Sequence, residues 1–94
     1  MPTLPLRVQQ STSTTGTGTV ALNAALAGRR SYQDAYGTGT TRVAYVISGA
    51  SFFEIGYGDF DGGSPGNLTR VAVVASSNAG ALVSLPVGTA DVFP

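Results

Sequence analysis

Residues 42–77 read RVAYVIS, a turn at Gly49-Ala50, SFFEIGYGDF, a glycine-rich loop and NLTRVAVVASS. Three runs rich in Val, Ile, Tyr and Phe, free of internal proline and separated by turn residues, are what a β-meander requires. The meander therefore constrains the chain to an all-β class.

Strict alternation divides each run into two faces. Along Phe52 to Tyr57 one face carries Phe53, Ile55 and Tyr57 and the other Phe52, Glu54 and Gly56; along Leu68 to Ala75 one carries Thr69, Val71, Val73 and Ala75 and the other Leu68, Arg70, Ala72 and Val74. With Phe53 opposite Val71, Glu54 faces Arg70, an opposite-charge pair worth a few tenths of a kcal/mol if exposed. A two-residue turn at Gly49-Ala50 pairs Ile47 with Phe52 and sets Tyr45 beside Glu54 and Val46 on the face of Phe53. Either both faces are covered, or a bulge near the turn shifts the register by one.

On the N-terminal side, Pro2 and Pro5 favour extended backbone, and Leu6 to Gln10 alternates as a first strand with Leu6 and Val8 inward. Ser11 to Thr19, STSTTGTGT, has no apolar anchor and is expected as an exposed or flexible hairpin connection. Val20 to Leu26 fits a strand through Val20, Leu22 and Ala24, or a helical stripe through Leu22, Ala25 and Leu26; pairing back on the first strand favours the strand. Ser31 is a helix-cap candidate and Gly37 a terminator, which allows one helical turn near 31–36. Tyr32 and Tyr36 share its face. They either plug one end of the fold or form, with Arg29 and Arg30, a contact surface.

On the C-terminal side, Ser76 to Gly80 is a tight turn with Asn78 and Gly80 suited to positive φ. Ala81 to Leu85 and Thr89 to Phe93 are short strands separated by Pro86, Val87 and Gly88. Strands at this spacing describe one domain over 1–94, a small antiparallel β-sandwich or partly open barrel with one short helical turn.

Composition excludes several function classes. The chain has no histidine, cysteine or lysine, and its five arginines (Arg7, Arg29, Arg30, Arg42, Arg70) balance Asp34, Glu54, Asp59, Asp61 and Asp91. Five scattered arginines do not make a nucleic-acid surface. Asp59 and Asp61 beside glycines invite a calcium reading, yet the fifth and twelfth positions of a helix-loop-helix calcium loop counted from Asp59 are Gly63 and Arg70, neither a suitable ligand, so the stretch is expected to be an ordinary loop without metal or cofactor. Gly56-Tyr57-Gly58 lies in a strand and opens no helix, so it is not a phosphate cradle. The residues hold no pairing for acid-base or nucleophilic chemistry, which predicts a non-enzyme.

No apolar run approaches the roughly 20 residues of a membrane span, and the start of the chain lacks a signal-peptide pattern. The expectation is a soluble protein without membrane partners. Charged residues form 11% of the chain, against about a quarter in typical domains. Either other subunits cover part of the surface, or threonine and serine make it polar.

The string from Phe52 to Phe93 carries a resemblance. FFEIGYGDF, the glycine-rich loop and NLTRVAVVASSNAGALVSLPVGTADVF resemble a module of tailed-bacteriophage virion proteins that reads as an aromatic, E-[IV]-G-x-G-x-[YF], a loop, L-x-R-x-x-V-x-x-S-S-N-x-G and P-x-G-T-x-x-V-F. The Thr-Gly hairpin and SYQDAYGTG resemble its front half more weakly. Ala72-Val73 departs from the pattern, and many relatives continue into a long fibre beyond the position of Pro94.

The resemblance implies a structural virion component, assembled in the host cytoplasm and docked on head, neck or tail through loops and open edge strands, with a fibre or spike attached to it in some settings. It implies other virion proteins as partners and a homo-oligomer, for which a trimer is the expectation. Two alternatives are a capsid decoration (cement) protein and a carbohydrate-binding host-recognition module. For the last, Tyr57, Asp59, Phe60 and Asp61 are the candidate cluster, unless Tyr57 is core and Phe60 merely caps the loop.

Overall fold

The structure is a computed structural model in which residues 7–94 are described. Leu6, expected inward on the first strand, lies outside the described residues together with Pro2 and Pro5. Six antiparallel strands form one sheet: β1 (Gln10–Thr12), β2 (Val20–Ala21), β3 (Thr41–Ser48), β4 (Phe53–Phe60), β5 (Asn67–Ser76) and β6 (Ala90–Phe93), with a one-turn helix α1 (Tyr32–Tyr36) after β2. Their order is β1-β6-β3-β4-β5-β2.

The two outer strands of that order meet across the gap. Thr12 bridges Leu22, Asn23 N donates to the Ser11 carbonyl at 2.7 Å, and the hydroxyl of Thr12 donates to the Ala21 carbonyl at 2.7 Å while Ala21 N donates to the Thr14 hydroxyl at 2.9 Å. Side chains thus do what ladder bonds do elsewhere, and the sheet curls into a nearly closed barrel. Of the two expected architectures the barrel is the one adopted, though among the described residues β5 meets β2 only at Asn67 and Leu68, so its edge beyond Leu68 has no partner strand.

The meander expected between residues 42 and 77 is β3-β4-β5. Its first connection is longer than a two-residue turn: Ser48 pairs with Phe53 and Ile47 with Glu54, and Gly49 N donates to the Phe52 carbonyl at 3.0 Å. The Phe52 ring folds over Gly49, where a Cβ would overlap it. That packing draws Phe52 out of the strand and against the core, which is why Ile47 meets Glu54 instead.

Further along, the register of β5 on β4 slips twice. Gly58 pairs with Arg70 but Tyr57 with Ala72, and Gly56 pairs with Val73 but Ile55 with Ala75. Val71 and Val74 are the extra residues, so the strict alternation expected of β5 fails at both. Bulges of this kind bend a strand and increase its twist, which a barrel of so few strands needs.

The core holds Val8, Val20, Leu22, Tyr32, Val43, Tyr45, Ile47, Phe60, Leu68, Val83, Leu85, Ala90 and Val92. Helix α1 closes one end. Ser31 caps it, its hydroxyl accepting from Asp34 N at 3.0 Å, and Gly37 ends it at φ 92°. Tyr32 stacks on Tyr36 at a ring distance of 5.8 Å and leans on Phe60 at 5.6 Å. The plug reading of the tyrosine pair therefore applies, and burial removes Tyr32 from any contact surface.

Four other expectations are corrected. The first strand runs Gln10–Thr12, not Leu6 to Gln10, with Val8 making only a bridge to Arg30. Ser11 and Thr12, placed in an exposed linker, are buried, because hydrogen bonding to the opposite segment satisfies their polar groups. Residues 81–85 form no strand; Leu85 alone bridges Gly16. In the turn before them the positive φ falls on Ala79 and Gly80, not Asn78, whose side chain donates to the Leu82 carbonyl at 2.9 Å.

Candidate functional site: a charge-free outer sheet face above a buried ion pair

Strand β4 carries the two regions from which any function must come. On its inner side stand Glu54, Gly56, Gly58 and Phe60, all buried; on its outer side Phe53, Ile55 and Tyr57 are exposed and Asp59 half-buried. Alternation is as the residues dictate, but the carboxylate points in and the large apolar groups point out.

Glu54 tolerates this because its oxygens are fully engaged. Oε1 accepts from Arg70 Nη1 at 3.1 Å and from Val83 N at 2.8 Å, and Oε2 accepts from the Tyr45 hydroxyl at 2.6 Å. Arg70, whose side chain is 1% exposed, donates also to the carbonyls of Val83, Gly16 and Gly18. One guanidinium therefore ties β5 to β4, to the Thr-Gly connection and to the segment before Pro86. The expected pair shares a face as alternation predicts, but instead of an exposed pair worth a few tenths of a kcal/mol it is a buried network, because that face, with Leu68 and Gly58, is the inner one.

The glycines make room for it. A Cβ on Gly56 would overlap the Ala72 carbonyl oxygen and come within 3.0 Å of the Tyr45 hydroxyl. Burial, then the bond to Glu54, pushes the Tyr45 hydroxyl well above the ordinary tyrosine range, and burial does the same to Tyr32. No buried side-chain nitrogen or oxygen among the described residues lacks a partner. Gln10, wholly buried, is a second such hub: its Oε1 accepts from Tyr32 N at 2.7 Å and its Nε2 donates to the carbonyls of Asn23 and Pro65. Neither hub opens to solvent, so both act as structure.

The outer side is different. Across β3, β4 and β5, Ala44 and Val46 flank Tyr57 and Ile55, with Ala72 and Ala75 on the far side; Phe93 of β6 adjoins Val46. Phe53 is 40%, Ile55 39%, Tyr57 51%, Val71 48% and Val74 64% exposed. Charge appears only at the rims. Arg42 and Asp59 pair at 2.7 Å at one end, and Asp91, opposite Ser48, stands at the other.

The residues singled out from the sequence do not converge. Arg29 Nε donates to Gln9 Oε1 at 3.2 Å, and Arg30 pairs with Asp34 at 3.4 Å beside α1. Tyr36 backs the buried Tyr32. Of the cluster Tyr57, Asp59, Phe60 and Asp61, Tyr57 is on the outer face and Asp59 is held by Arg42. Phe60 is core, reversing the expected roles of the two aromatics. Asp61 is consumed by its own turn, accepting from Gly63 N, Asn67 N and Asn67 Nδ2. The backbone bond from Asn67, then that from Gly63, holds its carboxyl below the usual range.

Two recesses complete the surface. An uncharged cleft of about 250 Å³ lies between the Ala50–Phe52 turn and Leu85–Ala90, and a shallow groove is bounded by Arg7, Arg29 and Phe93. Among the described residues no group of three or more His, Cys, Asp or Glu side chains comes together as a metal set. Compared with known proteins, the chain matches no family model, no curated protein and no solved structure. Simple alternation already puts Phe53, Ile55, Tyr57 and Val71 on one face; Val74 joins them only through the register shifts in β5.

Proposed function

We propose that this chain is a structural component of a tailed-phage virion, a small β-barrel that docks on neighbouring particle proteins through the outer face of β3, β4 and β5. The observation that carries the reading is that face: five large apolar side chains of β4 and β5, 39–64% exposed, flanked by Ala44 and Val46 of β3, with charge confined to the rims. Apolar patches of this kind mark interaction surfaces. The virion setting is supported by the resemblance of Phe52 to Phe93 to the phage module. Docking uses this sheet face, with the edge of β5 beyond Leu68, unpaired among the described strands, beside it.

This reading is preferred over carbohydrate binding because Phe60 and Asp61 are withdrawn from Tyr57. It is tested by purifying particles of the phage that encodes the chain on a density gradient and probing them with an antibody to it. The expected result is co-sedimentation and labelling at one locus on the head, neck or tail. Recovery only in the unassembled fraction overturns the proposal.

A further inference from the structure

Resting on that reading of the outer face, we infer that its first partner is a second copy of this chain, packed face to face about a two-fold axis. Three observations point there. The face is neutral and apolar, so it needs a surface of the same kind, and the chain supplies one; with a formal net charge of +0, two copies do not repel as they approach.

Area is the second. Phe53, Ile55, Tyr57, Val71 and Val74, with the alanines and valine between them, expose roughly 500 Å² per copy, so a fully packed pair would bury about 1,000 Å², the lower limit for a biological contact and the range of reversible ones. Aligned sheet packing is an established way to bury two such faces about 10 Å apart.

The rims are the third. From Arg42 to Ser48 the face is about 20 Å long, with Arg42 at one end, its side chain 56% exposed, and Asp91 at the other. Asp91 has no ion-pair partner among the described residues. A two-fold axis crossing the face near Val46 and Tyr57, with the strands of the two copies antiparallel, brings each Arg42 toward Asp91 of the other copy. A single face used by both partners closes at two copies, whereas a head-to-tail ring needs two different patches on each. This geometry replaces the trimer implied by the resemblance.

The test is solution mass by light scattering over a micromolar concentration series, with far-ultraviolet circular dichroism as the folding control. The expected wild-type mass is two chains. Ile55→Glu, in the middle of the face, is expected to give one chain with an unchanged spectrum, and Val87→Glu, 93% exposed and off the face, to stay at two.

Because the chain has no cysteine, Tyr57→Cys offers a second readout: a disulfide-linked pair under mild oxidation, absent with Val87→Cys. A one-chain mass at every concentration, a three-chain mass, or a two-chain mass that survives Ile55→Glu overturns the inference. Each of these leaves the virion reading standing if the antibody still finds the chain in particles, and a dimer absent from particles would sink that reading alone.

Discussion

The inner and outer sides of β4 are built from alternate residues of one eight-residue strand, yet they follow opposite rules. Inside, a carboxylate sits at zero exposure among glycines; outside, Phe53, Ile55 and Tyr57 meet water. A hydrophobicity argument alone would turn the strand over. What prevents this is a set of specific partners: Arg70, Tyr45 and Val83 N complete Glu54 only if it points inward, and a side chain at 56 or 58 would strike the β5 backbone. Burying a charge is costly unless it is paired and hydrogen-bonded. Here every oxygen has its donor, so the inverted strand is stable and its apolar side is left exposed.

The sharpest way to break the inner side is to remove one member of its ion pair. Arg70→Met leaves Glu54 buried without its cation and frees three carbonyls, and is expected to cost about 3–5 kcal/mol by urea unfolding. Combining it with Glu54→Leu should recover part of that loss, because the double variant buries no lone charge; equal or additive loss would mean that the carbonyl bonds, not the charge pair, dominate. Gly56→Ala tests the steric half of the argument. Its Cβ collides with the Ala72 carbonyl, and about 1–3 kcal/mol of destabilisation is expected from the fall in thermal midpoint.

Smaller again is Tyr45→Phe. It deletes one donor to a carboxylate that keeps two others, and about 1.5 kcal/mol is expected. The tyrosines also predict an alkaline limb. Tyr32 and Tyr45 have folded pKa values raised above 10.0, so the folded state resists their deprotonation while the unfolded state does not. The stability this represents is whole below pH 10 and is lost as pH rises beyond it. In an absorbance titration Tyr32 and Tyr45 should ionise only together with unfolding.

The outer side should respond least. Ile55→Thr and Val74→Thr in the isolated chain are expected to change stability by within about 0.5 kcal/mol, measured at a concentration low enough to hold the chain monomeric. A loss as large as that of Gly56→Ala would place these residues in a core the barrel does not show, and the contrast between the two sides would fail.

Much of this was legible in particular residues. The three runs of the meander, the Ser31 cap, the Gly37 stop and the stacked pair Tyr32-Tyr36 all follow from local pattern, because capping, periodicity and turn chemistry act over four or five residues. The pairing of Arg70 with Glu54 was legible too, but its burial was not. Two single-residue slips in β5 depend on how Gly56 and Gly58 let one strand approach another, and no spacing within β5 reports them. The Thr-Gly stretch misled for a related reason: Ser11 and Thr12 read as linker until the opposite segment satisfies their polar groups.

By itself, then, the amino-acid sequence determined the all-β class, the meander and the helical plug, since each rests on preferences a short segment expresses alone. Tertiary structure decided which side of β4 faces inward, that β1 and the segment around β2 close the barrel, and that Val74 joins the apolar residues of the outer face. Those outcomes depend on a charge finding its counter-charge 16 residues away and on backbones passing at glycine distance, which exist only once the strands have met.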